Sequence, residues 1–257
     1  MITLTSSPRG VTTLTLDRPD KHNALDGAAW DELHEALRTI GKDAATRVVV
    51  LTGAGVTFCA GADIAYMRSM MNASEAQNLG DAMVLAGCLR ALSELPQPVI
   101  ARVNGNAFGG GVGLVACADI AIATSTAKFA LTEVRLGIVP AAISPYVIAA
   151  VGERHARRLF LTAASFDAPE ALSLGLVHAA VDAGELDAAV EQHLDLLLRG
   201  GPTAVRAAKQ LVRDAVTTDP AHFPAHAARV LARLRVSPEG REGLSAFLER
   251  RKPDWQK

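Results

Sequence analysis

The stretch Asn104-Gly105-Asn106-Ala107-Phe108-Gly109-Gly110-Gly111-Val112-Gly113-Leu114 decides how this chain is read. Five glycines in nine residues lie between an apolar run and an apolar helical pattern. Glycine weakens a fold unless another backbone or a ligand must come close to the main chain. The register does not fit G-x-G-x-x-G, and no G-x-x-x-x-G-K-[ST] occurs in the chain, so neither nucleotide-binding loop is present. Two readings stay open: a turn shaped by packing, or a backbone anion site at a helix start.

A second stretch has the same grammar. Val48–Leu51 is a wholly apolar run ending at Gly53, as in a strand buried on both faces. Thr52-Gly53-Ala54-Gly55 and Phe58-Cys59-Ala60-Gly61-Ala62-Asp63-Ile64 then form a loop of small residues, with Asp63 opening the next helix. A helix start offers unpaired N–H groups. Two such turns, each after a buried strand, can converge on one oxygen and stabilise the charge that develops on a carbonyl. A tight strand-to-helix turn is the plainer alternative for either.

A third stretch supplies an acid. Glu133 stands in Phe129-Ala130-Leu131-Thr132-Glu133-Val134-Arg135-Leu136-Gly137-Ile138-Val139-Pro140. Desolvation there raises its pKa and favours a neutral acid able to give or take a proton. It could instead pair with Arg135 or cap a helix.

Around these stretches the first half alternates strands and helices. Val11–Leu16 alternates Thr with aliphatics, as a half-buried strand does. Asp26 is placed to cap a helix near Gly27–Ile40, with Trp30, Leu33, Leu37 and Ile40 on one stripe. A helix near Ala73–Leu95 is stopped by Pro96 and Pro98, and Asp119–Ala123 reads as another buried strand. From about Ala141 helices dominate: Pro145–Val151, Glu153–Leu161, Glu185–Leu198, Thr203–Val216 and Pro238–Arg250, the last capped by Ser237. The expected organisation is an α/β core over residues 1–200 and a helical region over 201–257.

Composition narrows the class. The chain has 257 residues, and a formal net charge of −1 gives no field toward nucleic acid or an anionic membrane. No basic, aromatic-rich patch appears, and apolar runs are broken well short of a membrane span. Cys59, Cys88 and Cys117 are widely spaced among apolar residues, so buried thiols and cytoplasmic surroundings are expected. His222 and His226 have a spacing that could suit a metal, but Pro224 lies between them and no third ligand is evident, so no metal is expected.

In order and spacing, the three stretches resemble the crotonase (enoyl-CoA hydratase/isomerase) superfamily. The likeness includes Arg18-Pro19 with Asn23-Ala24-Leu25, and the late run Glu239-Gly240-Arg241-Glu242-Gly243-Leu244 through Arg251. The resemblance implies a spiral of ββα units with a helical C-terminal trimerisation region, giving homotrimers or hexamers. It implies an acyl-CoA substrate, coenzyme A entering with that substrate and no separate cofactor. By it, the amides of Ala62 and Gly110 bind the thioester oxygen, and Glu133 serves the α-carbon. Ala60, Gly61, Asp63 and Ile64 cradle CoA, Ala24 lines its channel, and Phe247 and Arg250 reach it from the last helix.

One departure matters. Hydratases of this superfamily usually carry a further glutamate just before the apolar helix, where this chain has Gly113, a position otherwise lining the substrate. One carboxylate suffices to move a proton between carbons, which suits a double-bond isomerase. Against that, Glu133 through Ile148, Gly152-Glu153-Arg154 and Arg251-Lys252-Pro253-Asp254-Trp255 resemble the methylglutaconyl-CoA hydratase-like branch, as does the glycine itself. That finer likeness outweighs the single site. The expected activity is therefore reversible hydration of a branched, carboxylated enoyl-CoA, such as 3-methylglutaconyl-CoA, in leucine metabolism.

Overall fold

A computed structural model describes Met1–Gln256; the final residue of the expected helical region, Lys257, lies outside the described residues. Packing divides the chain into two compact units, Met1–Leu95 with Val99–Val190, and Pro96–Pro98 with the chain from Glu191 onward.

The first unit begins with β1 (Ile2–Ser6), β2 (Val11–Leu16), α1 (Gly27–Lys42), β3 (Val48–Gly53), α2 (Ile64–Met70) and α3 (Glu75–Ser93). It continues through β4 (Val99–Val103), β5 (Ala107–Phe108), α4 (Gly110–Cys117), β6 (Ile120–Thr124) and β7 (Lys128–Ala130). Then follow α5 (Ser144–Thr162), β8 (Phe166–Asp167), α6 (Ala168–Leu174) and β9 (Ala179–Val181). A six-stranded sheet runs β1-β2-β3-β4-β6-β9. Only β1 pairs antiparallel, and from β2 onward the neighbours are parallel. A smaller sheet, β5-β7-β8, sits apart from it in hydrogen bonding.

Local chemistry explains these elements. Every residue of β3 is buried, as expected for a parallel strand covered on both faces. Asp26 Oδ1 accepts from Ala29 N at 2.9 Å and starts α1, whose Trp30, Leu33, Leu37 and Ile40 enter the core. Ser74 and Gln77 close a reciprocal capping box on α3. Cys59, Cys88 and Cys117 are all buried. Leu14, Leu33, Leu51, Phe58, Leu89, Ile100 and Phe129 lie among the fully buried side chains.

The two helices expected between Pro145 and Leu161 are joined in α5. Gly152, at φ 77° and ψ 157°, breaks the helical path between them. α7 (Leu186–Arg199) starts in the first unit with Leu186 and Val190 buried, so the units divide inside this helix rather than after it.

The second unit adds α8 (Pro202–Thr217), α9 (Phe223–Val236) and α10 (Pro238–Leu248). The Glu239 carboxylate accepts from Thr203 N and Ala204 N, at 2.9 and 2.8 Å, satisfying the start of α8. Ser237 Oγ accepts from Gly240 N at 3.0 Å and caps α10. The expected last helix reaches Arg250; instead α10 stops at Leu248, and Arg250 takes a left-handed φ of 54°. The sequence reading gives no helix for α9, which contains Pro224. It lies in the first turn, where a missing N–H breaks no helical bond. His226 Nε2 there lies 2.6 Å from Asp214 Oδ2. Among the described residues no helix is long and apolar enough to cross a membrane.

Candidate active site

The site grows from the ends of β3 and β4, which lie side by side in the sheet. Asn104, just past β4, accepts from Gly53 N at 3.1 Å and donates to Gly55 O at 2.8 Å, binding the two loops together. Gly105 is held to its residue type by crowding: a side chain there would begin 2.0 Å from Val56 O. Asn23, 1 % exposed, donates to Ala54 O and Thr57 O at 2.9 and 2.7 Å and fixes the first loop from its other side.

Cys59 is the strut between the loops. Its N–H donates to Asn106 O at 3.1 Å, its carbonyl accepts from Phe108 N at 2.9 Å, and its sulfur lies 3.5 Å from Gly61 N. Gly111 packs so closely on it that a side chain would begin 2.5 Å from Cys59 O. Burial pushes the Cys59 thiol up to about 12, so it serves here as a packed, neutral group.

Between residues 60 and 63 the amides are used unequally. Ala60 N donates to His22 O at 2.9 Å, Gly61 N faces the Cys59 sulfur, and Asp63 N donates to Leu25 O at 2.9 Å. The exposed Ala62 keeps a free amide among the described residues. The second loop repeats this. Gly109 N donates to Ala130 O at 2.9 Å, and Val112 N and Gly113 N turn back to Gly109 O. The amide of Gly110, first residue of α4, has no acceptor among the described residues. The loops touch here: a side chain begun on Gly61 would lie 3.8 Å from Gly110 N. Trp30 of α1 backs Gly110, its Cζ2 lying 3.4 Å from where a side chain there would begin.

Glu133 opens a 3₁₀ turn, Glu133–Leu136, ended by Gly137 at φ 77°. Its Oε1 lies 3.2 Å from where a side chain on Gly109 would begin, which brings the carboxyl to the start of α4. Its Oε2 is buried without a hydrogen-bond partner. Burial raises the pKa of this carboxyl, partly offset by a backbone hydrogen bond. The alternative of an ion pair with Arg135 is not what the structure shows.

Other expected residues fall as follows. The carbonyl of buried Ala24 accepts from Arg18 Nη1 at 2.8 Å. Ile64 is 76 % exposed at the start of α2. Asp63 caps α2 by accepting from Ala65 N and Tyr66 N, and it pairs with Arg18 and Lys21 at 3.1 and 3.0 Å. The Lys21 hydrogen bond leads in holding its carboxyl below the usual range. Tyr66 donates to Asp81 and is pushed up to about 12, chiefly by burial, so its hydroxyl ties α2 to α3. Gly113 is the fourth residue of α4 rather than a residue preceding it, and it is buried. Phe247 and Arg250 lie in the second unit, Phe247 81 % exposed.

Trp30, Cys59 and Asn23 were not foreseen as parts of this site. Along the chain the Arg18–Leu25 run reads as a polar turn at Arg18–Lys21 and as a likeness, because its hydrogen bonds to residues 54–63 are invisible there.

Solved structures share this architecture. An enoyl-CoA hydratase from Shewanella pealeana superposes with TM-score 0.94 at 42% identity, covering 99% of this chain and 95% of that one. The fold is the crotonase-like α/β spiral with C-terminal helices. The family model for enoyl-CoA hydratase/isomerase matches residues 6–257. A crotonyl-CoA hydratase of Syntrophomonas wolfei is 35% identical, over 94% of this chain and 93% of its own length. The 2,3-dehydroadipyl-CoA hydratase of Escherichia coli is 33% identical over 98% of both. The chain belongs to the enoyl-CoA hydratase/isomerase family. Its general activity is that of a carbon–oxygen lyase acting on acyl-CoA thioesters.

Proposed function

We propose that the chain hydrates a branched, carboxylated enoyl-CoA, and reverses that hydration, using two backbone amides and one glutamate. The observation that carries this reading is the setting of Glu133: a half-buried carboxyl with one unpartnered oxygen, beside the helix start where Gly110 keeps a free amide. The thioester oxygen sits between the amides of Ala62 and Gly110, which draws electrons from the double bond and makes the β-carbon electrophilic. The oxygen of water bonds to that carbon as the double bond opens, Glu133 gives its proton to the α-carbon, and the proton released by the water returns to Glu133. Each amide supports the oxygen more strongly as charge builds on it, the condition for lowering a barrier.

The carboxylated substrate class rests on the likeness of Glu133–Ile148 and Arg251–Trp255 to the methylglutaconyl-CoA hydratase-like branch. The Escherichia coli relative, named for a dehydroadipyl thioester, is consistent with a second carboxylate. Ala24, Ala60, Gly61, Asp63, Ile64 and Gly113 frame the CoA and acyl path in this reading. Phe247 of α10 and Arg250, just past the end of that helix, complete it in a homotrimer or hexamer, and the enzyme works in the cytoplasm. A second reading, a single-glutamate double-bond isomerase, is favoured by the absence of a side chain at Gly113.

The test is incubation with a panel of enoyl-CoA esters, 3-methylglutaconyl-CoA among them, followed by mass analysis. Gain of one water on the carboxylated ester supports the proposal. A product of unchanged mass with a shifted double bond selects the isomerase, and no reaction with any ester refutes both.

A further inference from the structure

The space beside Gly113 is filled. A side chain begun there would meet Ile143 Cγ2 at 2.2 Å and Ile143 Cβ at 2.8 Å, with Leu89 Cδ2 at 3.6 Å. Real side chains do not approach this closely, so something must move before any residue larger than glycine fits. Ile143 cannot move easily. It is 3 % exposed, it stands at the start of α5, and branching at Cβ leaves it few rotamers. Leu89, on α3, is fully buried as well.

We propose that Ile143 is the specificity-determining residue that restricts this site to one acid. The glycine at 113 is the visible sign, and Ile143 is the physical cause. Any side chain introduced at 113 with Ile143 in place would begin against two aliphatic side chains. That wall of the site therefore offers no second group to hold or deprotonate water. Glu133, or a carboxylate brought by the substrate, must orient the water. This last step rests on the proposed role of Glu133, whereas the packing of Ile143 against Gly113 is independent of it.

The inference is tested with Gly113→Glu, Ile143→Ala and the double variant, together with Gly113→Ala and its own double with Ile143→Ala. The Gly113→Glu protein is expected to melt about 5 °C or more below the parent and to gain no crotonyl-CoA hydration. The double variant should recover the melting temperature of Ile143→Ala alone. It should also hydrate crotonyl-CoA about 100-fold faster than Ile143→Ala, with a new ionisation in its pH–rate profile. The milder Gly113→Ala pair should show that removing Ile143 relieves most of the loss in melting temperature.

Additive melting-temperature losses in the Gly113→Ala pair would overturn the inference. So would a Gly113→Glu protein as stable as the parent, or a folded Gly113→Glu/Ile143→Ala protein with neither faster hydration nor a new ionisation. A parent chain that turns over no enoyl-CoA would instead defeat the assignment of Glu133, with the stability coupling still measurable.

Discussion

The carbonyl oxygen of Phe108 lies 2.8 Å from the point where a side chain on Gly61 would begin, and Gly61 itself adopts φ 89°. Gly61, at a meeting point of the two loops that carry the free amides, therefore excludes a side chain both sterically and conformationally. Gly61→Ala is expected to cost about 1–3 kcal/mol of stability. Because the next residue is Ala62, kcat should also fall, while acyl-CoA binding weakens less. Thermal melts and steady-state kinetics on the same preparation separate the two effects, and an unchanged kcat would show that the Ala62 amide is not used.

Glu133→Gln preserves shape and removes the titrating proton. Turnover should drop by about 100-fold or more with acyl-CoA affinity retained. Isothermal titration beside a rate assay checks this; undiminished turnover would remove Glu133 from the chemistry.

The raised pKa of Glu133 also fixes a sign for stability. A carboxyl whose pKa is higher in the folded state holds its proton there after the unfolded chain has lost it. Its stabilising contribution is complete at pH below the ordinary carboxylate value and is lost as pH rises through the folded value. The stability of Glu133→Gln relative to the parent should therefore improve from pH 4 to pH 8. Denaturant melts at both pH values test this, and a difference of opposite sign would contradict the burial of this group.

Asp63 has the opposite sign. Its depressed pKa reflects Lys21 first and the amides of Tyr66 and Ala65 besides, so its contribution holds above the ordinary value and fades as pH falls through the folded one. Asp63→Ala removes a helix cap and leaves Arg18, 12 % exposed, with Asp26 as its remaining carboxylate. A loss of about 1–2 kcal/mol is expected, with Asp63→Asn recovering the capping share. Equal stability of the parent and Asp63→Ala at pH 7 would deny the clamp.

Gly152→Ala serves as a remote comparison. Its φ of 77° strains any residue with a Cβ, yet nothing lies within 4 Å of the added carbon. About 1 kcal/mol of stability should be lost with kcat unchanged. A large kinetic effect would mean that the bend in α5 reaches the site.

Much of this was legible along the chain. Asp26, Asp63 and Ser237 cap the helices their positions announced, since a cap and its amide lie within three residues. The apolar Val48–Leu51 run became a strand buried throughout. The paired β5 and β7 escaped notice, because two- and three-residue strands carry no periodicity. So did α9, whose Pro224 sits in the first turn.

By itself, the sequence determined the residue types: glycines where backbones meet, one acid in an apolar stretch, and no side chain at 113. Only the tertiary structure decided which amides stay free. Ala60 and Asp63 donate to His22 and Leu25, far back in the chain, and leave Ala62 without an acceptor. It alone revealed that Ile143 fills the space at Gly113. Propensity and capping act over a few residues, whereas an amide's acceptor and a cavity's occupant come from segments that only folding brings together.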